Sequence, residues 1–396
     1  METGQEFQCE IEKCVFGGDG LARVNGEVIF IPGTLPGEKL IARITAPKKN
    51  FSRAEVVRYG VTSPHRIENQ CPFFGRCPGC QYQHTTYALE TELKLSQLRD
   101  QLAGAGLEPE KMLPPVAPEP AAGYRNKIVL HVHTIGSTVK FGYVMQDNQT
   151  VCDIDHCLLA QPEINEELKR LRSDRSTMAS LREGMDVTIR NTAKGVLSWR
   201  NAPAKNATWL REKLSFGELS VPCGSFFQVN KEGAEALLTA VSAYIDRLKP
   251  TRFIDLYAGA GFFASLAASK GVRDILAVES DAAAAEAARF NLKKFGIQEP
   301  QVIAGDAGIV LKELKASESP DTLLVVDPPR GGLTLRAAMC LTGSSLRNFI
   351  YISCNPATWA RDAVRLQKGG FKLAELQLVN MFPRTEHFEL VSFFSR

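Results

Sequence analysis

From Phe253 onward the chain alternates apolar runs with helix-forming runs, and this alternation limits its fold more than any other feature. Phe253–Tyr257, Ile275–Glu279, Gln301–Ala304 and Leu323–Val326 read as strands, with helices beginning at Phe262, Asp281 and Ala307 between them. Strands separated by helices in this manner pair as a parallel sheet covered on both faces, which is a doubly wound α/β domain. Ligands of such domains bind at the carboxyl ends of the strands, so the residues closing each strand carry the functional information.

The first strand runs into Asp255-Leu256-Tyr257-Ala258-Gly259-Ala260-Gly261. Gly259 and Gly261 let the backbone approach a ligand closely, although the third glycine of the dinucleotide fingerprint is missing. Glu279 closes the second strand, where a carboxylate can accept both hydroxyls of a ribose. Asp306 follows the third, placed to meet an adenine amino group, and Asp327-Pro328-Pro329-Arg330 adds a rigid turn beside the same crevice. One acid at a strand end is more often a cap or a surface residue. Three at successive strand ends favour a nucleoside ligand. Two late strands, Phe371–Met381 and Phe388–Phe394, would pair as a hairpin. Such an addition resembles the S-adenosylmethionine-dependent class I methyltransferases rather than the dehydrogenases.

A second turn singles out a nucleophile. The apolar run Phe349–Ile352 predicts a buried strand, Asn355 suits a helix N-cap and Pro356 suits the first helical position. Cys354 therefore lies at the mouth of a strand-to-helix turn beside the positive end of a helix dipole. Thiols are acidified there and become nucleophilic. The competing reading is a packed, inert thiol, since free cysteine is among the most buried residue types.

The other half of the chain reads differently. Residues 6 to 59 predict short strands, Gln8–Ile11, Gly26–Ile31, Glu38–Ile44 and Arg53–Arg58 among them, with Gly- and Pro-containing turns between, which suggests a five-stranded OB-like barrel. Lys48, Lys49, Arg53 and Arg58 cluster toward its end and suit phosphates, against a plain solvated charge run. The net charge of +3 is too small to announce a nucleic-acid partner by itself. Cys71, Cys77 and Cys80 follow within ten residues, among Pro72, Pro78 and Gly79. No run reaches transmembrane length and the polar start is no signal peptide, so the chain is expected to be soluble and cytoplasmic. In that compartment ten cysteines argue for metal or catalysis before disulfides. A fourth ligand would come from Cys152 or Cys157. The spacing is near that of plant-type iron–sulfur runs, and zinc accepts four thiolates equally well. An amphipathic helix with Leu95, Leu98 and Leu102 on one face precedes a Pro-rich linker. Strands at Ile128–Val132, Lys140–Val144, Asp186–Arg190 and Gly195–Trp199 then make a second β-rich region. Before it, Tyr124, Arg125, Asn126 and Lys127 form a basic, aromatic patch that suits RNA as well as it suits a solvated strand start.

Several stretches together carry a resemblance. Gly18 to Glu38 resembles the TRAM domain, an RNA-binding module. Ser353-Cys354-Asn355-Pro356 with Arg361-Asp362, Met381-Phe382-Pro383 through His387-Phe388-Glu389, Asp327-Pro328-Pro329-Arg330 and Phe226-Phe227-Gln228-Val229-Asn230 resemble motifs of the RNA uridine-5-methyltransferase family, nearly end to end. Ala258 stands where that family often has Cys, and Pro78 where it often has Gly. The resemblance implies a TRAM domain over 1–62 and a β-rich central domain over 63–221, with a helix at 86–113 that packs on the catalytic domain. The class I methyltransferase domain would occupy 222–396. It implies Cys354 as nucleophile toward uracil C6 and Glu389 as the base at C5, with Glu386 second in line. S-adenosylmethionine would be bound by Gln228, Tyr257, Gly259, Gly261, Glu279, Asp306 and Asp327, and Phe226 would stack on a base. A four-iron four-sulfur cluster would sit on Cys71, Cys77, Cys80 and Cys157. The TRAM unit and the cysteines point to the branch that makes 5-methyluridine in 23S rRNA, with tRNA as runner-up, acting as a monomer. A non-catalytic RNA-binding iron–sulfur protein is the reading from another class, and the presence of both Cys354 and Glu389 speaks against it.

Overall fold

A computed structural model of the chain describes residues 1–136, 138–145, 147–201, 208–314 and 321–396. Its centre is an eight-stranded sheet in the order Gln301–Ala304, Asp274–Glu279, Arg252–Leu256, Thr322–Val326, Asn348–Ser353, Glu389–Ser395, Lys372–Val379, Lys111–Met112. The first five strands are mutually parallel, and Glu389–Ser395 slots antiparallel between its two neighbours. Thr322–Val326 is buried at every residue, as expected for a strand covered on both faces. One face packs on helices Lys231–Leu248, Phe262–Ser269 and Ala282–Lys294 through Leu237, Val241, Phe263, Ala288 and Leu292. The opposite face packs on Leu335–Thr342, Pro356–Lys368 and the distant helix Tyr87–Ala105, which contributes Leu95, Leu98 and Leu102 to a core shared with Ile254, Val326 and Trp359.

The stretch 86–113 is therefore not one helix. It ends at Gly106, which takes the left-handed conformation at φ 65° that terminates helices, and Lys111–Met112 then joins the central sheet beside Lys372–Val379. A two-residue strand is too short for any periodicity to reveal it.

The N-terminal unit has six strands rather than five, in the order Glu6–Glu10, Lys39–Pro47, Ser52–Val61, Glu27–Ile31, Gly20–Val24, Lys13–Cys14. Ala22, Ile29, Ile31, Leu40 and Ala42 fill its interior. The middle of the chain forms a five-stranded antiparallel sheet, Val151–Asp153, Thr138–Val144, Lys127–Ile135, Asp186–Thr192, Gly195–Arg200, backed by the helix Pro162–Ser173. Among the described residues no helix is long and apolar enough to cross a membrane.

Candidate active site

Cys354 emerges from the strand Asn348–Ser353, and Asn355 caps the helix Pro356–Lys368 by accepting from the Ala357 and Thr358 amides. Asn355 Nδ2 and Thr358 Oγ1 both donate to the Arg330 carbonyl, at 3.2 and 3.0 Å, so the cysteine turn is tied to the Asp327–Arg330 turn. Behind it the buried carboxylate of Asp362 accepts from the Leu333 amide at 2.7 Å and the Tyr351 hydroxyl at 3.0 Å. That explains the acid of the Arg361-Asp362 pair: it fastens a loop and a strand to the helix Pro356–Lys368.

The sheet register brings the second candidate to the first. Ser353 pairs with Leu390 across the antiparallel ladder, so one further step sets Cys354 opposite Glu389. Glu389 is buried, 6 % exposed, and its Oε2 has no hydrogen-bond partner. Burial, and then Asp327, push its carboxyl well above the usual range, against a lowering pull from Arg330. Burial likewise raises Asp327 to about 7. Glu386, the alternative base, projects toward the N-terminal unit, near Gly17.

The expected acidification of Cys354 is not what the structure gives. Burial pushes its thiol up to about 11, Glu389 and Asp327 add to the rise, and Arg330 opposes it. The helix N-terminus is a local effect of modest size. Loss of water together with two carboxylates brought in from neighbouring strands outweighs it.

The crevice residues take their places at the strand ends. Tyr257 is left-handed at φ 63°, a costly conformation for a side-chain residue, which marks the turn as functionally constrained. Gly261 must be glycine: φ is +82° and a Cβ would stand 3.2 Å from Ala288 Cα. Gly261 at the N-cap offers no side chain, and the buried Asp255 carboxylate takes that role, accepting from the Ala264 amide at 2.8 Å. Glu279 shapes the turn, accepting from the Gly259 amide at 2.8 Å and the Asp281 amide at 2.7 Å. Asp306 lies two residues past its strand and accepts from the Ile309 amide at 3.1 Å, so it caps the next helix. Gln228 is buried beside the same turn, since neighbouring Phe227 meets Phe262 edge-on at 5.8 Å. Phe226 is 72 % exposed, free to stack.

Cys71, Cys77, Cys80 and Cys157 line one cavity of about 570 Å³, which extends to Arg330 and His387. Cys152 lies near Cys71 and Cys77 but outside that lining. No three Cys, His, Asp or Glu side chains among the described residues converge on a point that would hold one ion. Thiols spread around a cavity of this size suit a polynuclear group better than a single tetrahedral zinc. Arg125 lines the same cavity with its Nε unpartnered, a cation that an anionic cluster would satisfy. Arg125 and Tyr124 are accordingly not an RNA patch. Tyr124 is 1 % exposed and donates to the Pro383 carbonyl at 2.9 Å.

Of the N-terminal cations, Lys48, Lys49, Arg53 and Arg58 are exposed, and Arg53 pairs with Asp19 at 3.0 Å. Sequence reasoning missed that this unit touches the site: Phe16 meets Phe388, the residue before Glu389, edge-on at 6.1 Å. It also missed the ring of His387, which accepts from the Arg330 guanidinium at 2.9 Å. Such pairs join residues of separate loops, and no local pattern marks them.

A doubly wound sheet with a glycine turn, acids closing its strands and a late antiparallel strand defines a class I, S-adenosylmethionine-dependent methyltransferase. The family model for tRNA (uracil-5-)-methyltransferase matches residues 218–396, and that for the TRAM domain matches residues 1–57. The 23S rRNA (uracil(1939)-C(5))-methyltransferase of Acidithiobacillus ferrooxidans is 30 % identical, over 100 % of this chain and 99 % of the relative. The enzyme of the same description from Haemophilus parainfluenzae is 26 % identical, over 100 % and 97 %. Among solved structures, the Pyrococcus abyssi tRNA (uracil-54, C5)-methyltransferase in complex with S-adenosyl-L-homocysteine shares the fold, with a TM-score of 0.73 and 23 % identity, over 98 % of this chain and 100 % of that one. The chain belongs to the RNA uracil-C5 methyltransferase family and carries its TRAM domain.

Proposed function

We propose that the enzyme makes 5-methyluridine in 23S rRNA through a covalent bond from Cys354 to uracil C6. The observation that carries the mechanism is the ladder register that sets Cys354 opposite Glu389. Uracil C5 is a poor nucleophile. Addition of the Cys354 thiolate to C6 moves the ring electrons toward C5 and O4, so C5 can take the methyl group that S-adenosylmethionine supplies when bound. The ionised Glu389 carboxylate then removes the C5 proton. The C5–H electron pair forms the C5=C6 double bond and the C6–S bond breaks, returning the thiolate. Arg330 favours both ionised groups, since its charge lowers the pKa of Cys354 and Glu389 alike. Gln228, Tyr257, Gly259, Gly261, Glu279, Asp306 and Asp327 form the cofactor crevice, and Phe226 offers a stacking face to an unpaired base.

The rRNA target rests on the end-to-end likeness to enzymes described as acting there. It is checked by mapping 5-methyluridine in rRNA and tRNA from cells with and without the gene. Loss of one rRNA site is the expected result, and loss from tRNA alone would move the substrate there.

We place a four-iron four-sulfur cluster on Cys71, Cys77, Cys80 and Cys157. Protein prepared without oxygen should contain about four iron and four sulfide per chain. Cys152→Ser should retain them. Stoichiometric zinc without sulfide would sink the assignment.

A further inference from the structure

Between the strands Lys372–Val379 and Glu389–Ser395 runs an irregular loop whose path decides where Glu389 begins. Glu389 Oε2, buried without a hydrogen-bond partner, gives the carboxyl no anchor on that side. The loop is closed instead on a charge pair from the helix Tyr87–Ala105, nearly three hundred residues away in sequence. Lys94 is fully buried. Its Nζ donates to the Phe382 carbonyl at 3.3 Å and the His387 carbonyl at 3.1 Å, one near each end of the loop, and to Asn380 Oδ1 at 2.7 Å. Its ion-pair partner Glu90, at 2.9 Å, accepts from the Arg384 amide at 2.9 Å and from Asn380 Nδ2 at 3.1 Å. Arg384 sits at φ 68°, held there further by bonds from the Gln81 and Tyr82 amides to its carbonyl at 2.9 and 3.0 Å.

A buried ammonium is costly unless every proton is bonded, and breaking one partner of such a pair leaves a charge stranded. Lys94 therefore imposes one loop shape, and a residue that only filled the core would need no charge. We propose that Lys94, fixed by Glu90, is the positioning residue for the base Glu389, so that it governs release of the methylated product and leaves thiolate addition alone. This rests on the assignment of Glu389 as base.

The test separates the two ideas. RNA carrying 5-fluorouracil should trap wild-type enzyme on Cys354, because fluorine cannot leave C5 as a cation; if it does not, the covalent mechanism itself fails. Given that trap, Lys94→Met should form it at a rate within about threefold of wild type and bind S-adenosylmethionine unchanged. On ordinary uridine RNA its kcat should fall about 100-fold, the scale expected when a reacting group is displaced by about 1 Å, while a methylated protein–RNA conjugate accumulates. Glu90→Gln, which keeps the shape and removes the charge, should show the same accumulation at about a tenfold loss. This variant decides the matter if Lys94→Met does not fold. Equal losses in trapping and turnover would mean a purely structural role and overturn the proposal, as would unchanged turnover in both variants.

Discussion

Cys354→Ala protein should bind S-adenosylmethionine and RNA as the wild type does, yet form no conjugate with 5-fluorouracil RNA and lose turnover by a factor on the order of 10⁴ or more. No other cysteine can substitute. Cys340 and Cys223 are buried in the core, and the remaining thiols lie in the N-terminal and middle regions. The wild-type thiol also has a pH signature. Burial pushes its pKa up to about 11, so the free enzyme holds Cys354 protonated at neutral pH. Alkylation of Cys354 should rise about tenfold per pH unit from pH 7 toward pH 10, because only the thiolate reacts. Arg330→Gln should slow it at every pH, since the one cation favouring the thiolate is removed. Mass spectrometry of the Cys354 peptide reads both effects. Full turnover by Cys354→Ala, or an adduct on another cysteine, would overturn the assignment.

What could be read from the chain was local. The cysteine turn was legible because an apolar run, an N-cap asparagine and a first-position proline are neighbours, and the strand ends at Tyr257, Glu279 and Asp327 were legible from the alternation. The acidity of Cys354 was misjudged for the same reason: the helix dipole is local, whereas Asp327 and Glu389 arrive from other strands. Lys94 was invisible because a charged residue among Leu95 and Leu98 reads as solvated, and its partners other than Glu90 lie at positions 380 to 387. The N-terminal unit was read as an RNA-binding module. Its Phe16 nevertheless packs against Phe388, so deleting that unit would strip the catalytic loop of a neighbour as well as remove cations from the RNA path.

Glu389→Gln should fail at the opposite end of the reaction from Cys354→Ala. Thiolate addition and methyl transfer both precede removal of the C5 proton, so the variant should complete them and then stall. The species that accumulates is a methylated protein–RNA conjugate that survives denaturing electrophoresis, with turnover reduced by roughly 10²–10⁴, the usual worth of a general base. The glutamine is nearly isosteric, so the loss cannot be assigned to a hole in the core. Thiolate formation should be no harder, because Glu389 acts only to raise the Cys354 pKa. Trapping by 5-fluorouracil RNA should therefore proceed at least as fast as in the wild type. Undiminished addition with slower release, from one substitution, could not follow from a loss of folding. Rapid release by Glu389→Gln would transfer the base role elsewhere, with Glu386 the first to substitute, while leaving Cys354 as nucleophile.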